Sequence, residues 1–335
     1  LGTLDLKNIN FNYINHISAL NAQLKLGELS TAFGKLDLAK LFIPLEKLQL
    51  NNTHIKVLMG KSAASKVAAK EVEKHATAQA NNPWQIALNN VSFTNNELQF
   101  DNDNNAAAKA GMDYSHIHIK GLTVIADSLN FTPSVYEGNI QQFAFNEKSG
   151  FNLQKFQTNF FYSDTATKLE NFLLQTDKTI IRDNIQLGYT SINTIADKPG
   201  DIFIDANLNQ CKLAVKDILT FAPFLAANLK GNENAVFAVN GSAKGFVKDI
   251  TIPNFELSGL GSTAVQISGN IKGLPDAKKT YYNLQLAKFV TTKKDIESIA
   301  PKNSIPSNIR LPEKLSAKGF FKGTIENFSG KLNAQ

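Results

Sequence analysis

Ile140-Gln-Gln-Phe143-Ala-Phe145-Asn-Glu147-Lys148-Ser149-Gly150-Phe151-Asn-Leu153-Gln-Lys-Phe156-Gln-Thr-Asn-Phe160-Phe161 decides the fold. Its apolar residues stand mostly two apart on both sides of a Ser149-Gly150 turn. That spacing predicts an antiparallel hairpin with one apolar and one wetted face. The same alternation recurs along the whole chain, so the functional question becomes what covers the apolar face.

The 335 residues allow two ordinary domains or one large all-β unit. With 43% hydrophobic and 19% charged residues, the chain is neither disordered nor unusually charged. Phenylalanine (23 residues against one Trp and two Met) favours pleated, half-buried surfaces. Asparagine pairs at 51–52, 81–82, 95–96 and 104–105 mark turns. The net charge of +6 comes from dispersed lysines, with no block of five, which predicts a solvated positive face. No RNP, zinc-finger or helix-turn-helix pattern supports nucleic acid as a partner. Cys211 is the only cysteine, so no disulfide or cysteine-based metal site forms within the chain. No apolar run approaches the roughly 20 residues of a membrane helix, and no signal peptide is present. Both ends fall inside apparent strands (Leu4 and Leu6, Lys331 and Leu332), which predicts a piece of a longer protein.

Residues 1–60 predict a meander. Leu4 and Leu6 slip phase to Ile9, Phe11 and Tyr13, which predicts a bulge. Leu20 to Leu26, Leu36 and Leu38, Leu48 and Leu50, and Ile55 to Met59 follow, with a turn at Asn51-Asn52-Thr53. The connections are too short for crossovers, so antiparallel pairing is expected. Residues 61–82, rich in Ala, Lys and Glu, predict a helical or mobile insert. Residues 83–335 continue the sheet. Val91 and Phe93 are expected to pair with Leu98 and Phe100 around Asn95-Asn96, and Ile119 slips phase at Gly121 to Leu122. Short helices are expected near 216–228, ended around Pro223, and near 294–300, stopped by Pro301. The tally is about 20 strands without regular strand-helix alternation, which excludes a parallel α/β fold.

Catalytic chemistry finds little purchase. His116 and His118 share one side of a strand near Asp113, without a third metal ligand at a suitable spacing; a surface or packing role is expected. There is no nucleophile elbow, P-loop or dinucleotide fingerprint. Lys148 beside Ser149 sits on a hairpin turn open to water, and Cys211 beside Lys212 reads as a small apolar filler. No catalytic residue, metal or cofactor is expected, so the chain reads as non-enzymatic. The apolar face then packs on a second sheet, closes into a barrel, or lines a trough for a guest; periodicity leaves these open.

Residues 115–335 resemble the AsmA/TamB family in its Bacteroidetes form. The resemblance rests on Phe145-Asn-Glu147-Lys148-Ser149-Gly150-Phe151, on the strands ending in Leu174-Gln-Thr176, and on Lys216-Asp217-Ile218-Leu219-Thr220-Phe221-Ala222-Pro223. It rests most on Pro301-Lys-Asn-Ser-Ile305-Pro306-Ser-Asn308-Ile309-Arg310-Leu311-Pro312-Glu-Lys-Leu315, followed by Gly319 and Gly323. Residues 1–60 share the style more loosely. The resemblance implies a mainly β, long antiparallel meander curled into a U-shaped apolar groove, with a few short helices. It implies the periplasm of a Gram-negative envelope, anchorage to the inner membrane by an N-terminal helix outside this stretch, and passage of phospholipid to the outer membrane. The expected lining is Phe143, Phe145, Phe151, Leu153, Ile185, Leu187, Ile202, Ile204, Val265, Ile267, Leu284 and Leu286. Two alternatives stand beside it: a periplasmic scaffold assisting barrel insertion with an Omp85-type partner, and a β-sandwich adhesion module.

Overall fold

The computed structural model describes residues 2–62, 83–300 and 310–335. The insert expected at 61–82 therefore lies outside the described residues from 63 onward, as does most of the Pro301–Leu315 run. The described chain is mainly β, with 17 strands and two short α-helices. It divides into two compact units, Leu1–Ser163 and Asp164–Gln335. Residues 1–60 and 83–163 share the first.

The first unit is one curled sheet of β1 (Thr3–Asn15), β2 (Leu20–Phe33), β3 (Phe42–Asn51), β4 (His54–Met59), β5 (Gln85–Asn102), β6 (His116–Phe131), β7 (Val135–Glu147) and β8 (Asn152–Ser163). The deciding hairpin is β7 and β8, with Phe145 opposite Leu153 and Phe143 opposite Phe156. Its turn is held by the Glu147 carboxylate, which accepts the Ser149 N–H at 2.6 Å and the His118 N–H at 3.1 Å. Three local expectations fail here. Leu36 and Leu38 lie in a turn, where Asp37 accepts the Lys40 N–H and only an isolated bridge joins Asp37 to Phe42. Asn51-Asn52-Thr53 does not reverse the chain: β3 and β4 run on in line, both antiparallel to β2. Asn95-Asn96 does not separate two strands either; both lie inside β5.

The common reason is a seam. Asn8, Asn52 and Asn95 have φ of 56, 50 and 55°, and Gly121 has 63°. A left-handed residue, which Asn and Gly tolerate best, inserts one position into the alternation without turning the chain. Positions on one face step by three at this height, Leu6 to Ile9, Leu50 to Thr53, Phe93 to Asn96 and Ile119 to Leu122, and β2 makes the same step from Leu26 to Leu29 without a left-handed residue. The pairing of β1 with β2 carries through the seam unbroken. Polar groups close it from within. The Thr53 N–H donates to Asn96 Oδ1 at 2.9 Å, and Asn96 Nδ2 donates to the Leu50 carbonyl at 2.9 Å. Thr53 and Asn96 are only 1% and 4% exposed, so these bonds satisfy groups shut off from water.

β5 departs from the expected meander, because it runs parallel to both β3 and β4. A parallel pair needs a long crossover. Residues 60–84, which contain the insert, supply it.

The second unit is again one curled sheet: β9 (Ala166–Gln175), β10 (Ile180–Gly188), β11 (Phe203–Ala214), β12 (Val236–Phe246), β13 (Asp249–Gly259), β14 (Thr263–Lys272), β15 (Tyr281–Thr292), β16 (Lys314–Gly323) and β17 (Phe328–Ala334). Each strand pairs antiparallel with the next. Here the extra residue sits on alternate strands. Leu208 to Cys211 on β11, Ile252 to Phe255 on β13 and Leu286 to Phe289 on β15 step by three, while β14 and β16 keep strict alternation. The registers shift by one residue at each of these points. Repeated bulges at one height bend each strand and curl the sheet.

Helix α1 (Val215–Phe221) follows β11 and breaks at Ala222 before a 3-10 turn over Pro223–Leu225, so it is shorter than the expected 216–228. Its Asp217 accepts the hydroxyls of Thr176 and Thr179, both at 2.6 Å, which pins it to the β9–β10 turn. Helix α2 (Lys293–Ile299) follows β15, capped by the Thr292 hydroxyl accepting the Asp295 N–H. Asp295 in turn accepts the Ser262 N–H and the Thr263 hydroxyl.

Candidate functional site

Cross-strand partners show that the second unit has one continuous apolar face. Leu208, Gly241, Phe255, Ile267, Leu286, Gly319 and Leu332 stand opposite one another in a row from β11 to β17. A parallel row runs Leu187, Ile204, Gly245, Ile250, Ile271, Tyr282, Gly323 and Phe328. The reverse face is polar: Asp205, Lys244, Thr251, Asn270, Asn283, Lys322 and Ser329 form the equivalent row. Along β13, Ile252, Phe255 and Leu257 are half-buried while Thr251, Asn254, Glu256 and Ser258 are exposed. On β13 the apolar side is therefore the sheltered one, whereas Phe328 and Leu332 at the β17 end of the two rows are exposed, and every described strand of the unit belongs to this single sheet.

Of the expected lining, Ile185, Leu187, Ile204, Val265, Ile267, Leu284 and Leu286 share this face, all half-buried. Ile202 does not lie in β11, which begins at Phe203; it closes a 3-10 turn at Pro199–Asp201 and its carbonyl accepts the Val247 N–H. The sequence reading missed Phe255 and Leu257 as lining residues, although their alternation with exposed polar neighbours on β13 was the available signal.

In the first unit Phe143, Phe145 and Phe151 form an aromatic cluster, with ring centroids 5.3 Å apart for Phe143–Phe145 and 6.1 Å for Phe145–Phe151. Phe156 meets Phe143 edge-on at 6.4 Å. Phe151 and Leu153 are 6% and 4% exposed, so they close the hairpin end and offer a guest little surface. Their apolar surroundings continue through Phe93 and Val124, opposite one another on β5 and β6, to Phe143 on β7.

His118 Nε2 and His54 Nδ1 approach the two oxygens of Glu97 at 2.5 and 2.8 Å, so this trio is a hydrogen-bonded bridge across β4, β5 and β6. The His118 hydrogen bond, with His54 beside it, holds the Glu97 carboxyl below its ordinary range despite partial burial. His116 and His118 do share one side, but His116 turns to Asp113 at 3.0 Å. Among the described residues no group of three or more His, Cys, Asp or Glu is placed to hold a metal ion. Cys211 is buried, its Sγ accepting the Arg182 N–H at 3.4 Å. Three clefts of about 230, 420 and 210 Å³ are lined mainly by polar-face side chains such as His54 and Glu97, Asn184 and Asp205, or Glu256 and Lys288. No helix among the described residues is long and apolar enough to cross a membrane.

No protein-family model matches the chain, and no curated protein or solved structure matches it either.

Proposed function

We propose that this chain is a non-enzymatic lipid-transfer segment whose apolar faces shield phospholipid acyl chains while head groups stay wetted. The observation that carries the reading is the uninterrupted apolar face of a single-layer sheet, exemplified by the row from Leu208 to Leu332. Such a face is costly to leave against water, at about 25 cal/mol per Å². A second sheet would cover it, yet all described strands of each unit lie in one sheet. An acyl chain covers it equally well, gaining about 0.8 kcal/mol for each methylene fully removed from water. Because one side of a curled sheet stays open, a lipid slides along it without any bond being made or broken. The resemblance to the AsmA/TamB family points the same way, and with it to a periplasmic bridge between inner and outer membranes, held by an N-terminal anchor outside this stretch.

Native mass spectrometry of the purified chain tests the reading. Phospholipid adducts are expected, removed by delipidation and regained on incubation with vesicles. A chain that stays lipid-free under both conditions rejects it.

A further inference from the structure

The polar face of the second unit is not uniform. Between β11 and β14 three lysines are paired with acids: Lys244 meets Asp205 at 2.6 Å, Lys248 meets Asp201 at 2.6 Å, and Lys272 meets Asp249 at 3.3 Å. From β15 onward the matching stops. Strands β15, β16 and β17 contain five lysines and no Asp or Glu.

Three of these lysines are grouped. Lys318, Phe320 and Lys322 alternate with Gly319 and Phe321, which belong to the apolar face, so all three point outward. Lys331 lies directly opposite Phe320 on β17. Cross-strand neighbours sit about 5 Å apart and diagonal ones about 7–8 Å. Three lysines thus neighbour one phenylalanine that is 42% exposed. Among the described residues no carboxylate lies within ion-pair reach of Lys318, Lys322 or Lys331. The acids nearest in sequence, Glu313 and Glu326, flank β16 outside the strands. On the neighbouring strands Asp249 is engaged with Lys272, and Glu256 accepts from Gln266, which faces Lys288.

We propose that the outward face of β15–β17 docks onto an anionic lipid bilayer, with Lys318, Lys322 and Lys331 meeting head groups and Phe320 entering the interface. The chemistry selects this partner. Lysines are point charges that suit head groups free to rearrange laterally, and none of the three strands carries an arginine for bidentate phosphate recognition. A single exposed Phe among lysines fits an interfacial anchor, whereas single-stranded nucleic acid calls for a series of stacking aromatics along a basic groove. The surface lies on the face opposite the apolar one, so it is independent of whether a lipid occupies the latter.

The experiment is co-sedimentation of the full chain with large vesicles of phosphatidylcholine alone or mixed with phosphatidylglycerol, at low and at physiological salt. Binding is expected only with phosphatidylglycerol and weaker at the higher salt. The triple variant Lys318→Gln, Lys322→Gln, Lys331→Gln is expected to bind about 100-fold more weakly, at about fivefold per lysine. The same three positions changed to Arg keep binding, and Phe320→Ser weakens the part that survives physiological salt. Equal binding to neutral vesicles overturns the proposal, as does a folded triple-Gln variant that sediments like the parent. A chain that binds single-stranded DNA and no vesicle also overturns it.

Discussion

Changing Phe255 and Leu286 together to Glu separates an open apolar face from a dry core. The two residues flank Ile267 in one row of the second unit, each half-buried. Full burial of such a side chain is worth about 1.5–3 kcal/mol, so half-burial forfeits about 1 kcal/mol at each site. The carboxylates stand two strands apart, about 9.5 Å, and reach water from an open face, so their repulsion adds only a few tenths of a kcal/mol. The expected loss is therefore about 2–3 kcal/mol, or roughly 4–12 °C in melting temperature for a unit the size of Asp164–Gln335. In a sealed two-layer core the same pair would place two unpaired charges in a low dielectric, costing several kcal/mol each and abolishing folding. The assay combines thermal unfolding by circular dichroism with native mass spectrometry for bound phospholipid. A folded variant with at least tenfold less lipid is expected. An unfolded variant would show that the face is filled by the protein itself, and a folded one with parental lipid content would show that lipid does not use it.

Replacing Gly27 by Ala puts a Cβ 2.6 Å from the carbonyl oxygens of both Asn51 and Asn52, at the seam. Backbone cannot swing away as a side chain can, so urea unfolding is expected to show a loss of about 2–3 kcal/mol. Asp217→Ala leaves two buried hydroxyls, Thr176 and Thr179, without their acceptor. The cost is about 2 kcal/mol, and hydrogen exchange over 215–221 should quicken while β13 and β14 keep their protection. The first unit should also lose stability in acid. Burial pushes the Glu147 carboxyl up, but the Ser149 hydroxyl and the Ser149, His118 and Lys148 N–H groups more than offset this, so it ends below the ordinary 4.5. A carboxyl depressed in the folded state binds its proton more readily when unfolded. Its contribution is whole above pH 4.5 and drains away as pH falls through the folded value. Glu147→Gln is expected to flatten that decline in urea titrations taken at successive pH values; an unchanged slope would reject the assignment.

Alternation alone carried much of the fold. Phe143, Phe145, Phe151 and Leu153 announced their hairpin because side chains on a strand must face opposite ways in turn, and one face was consistently oily. The slips at Asn8 and Gly121 were equally visible, since a step of three between apolar residues has no other economical explanation in a strand. What Asn52 and Asn95 would do was not visible. A left-handed asparagine serves a tight turn and an in-line insertion with the same φ, and only the neighbouring strands at the same height decide between them. Ile202 fell outside its strand because Pro199 and Gly200 wound the preceding residues into a 3-10 turn.

The sequence by itself determined that the chain is an antiparallel, two-faced sheet with short helices near Pro223 and before Pro301, because periodicity and helix stops are local properties. Only the tertiary structure decided that β5 runs parallel to β3 and β4, that the bulges align into a seam, and that the two apolar rows of β11–β17 merge into one face. Those outcomes depend on register between segments distant in the chain. Register is set by which oily faces meet, a condition no single strand contains.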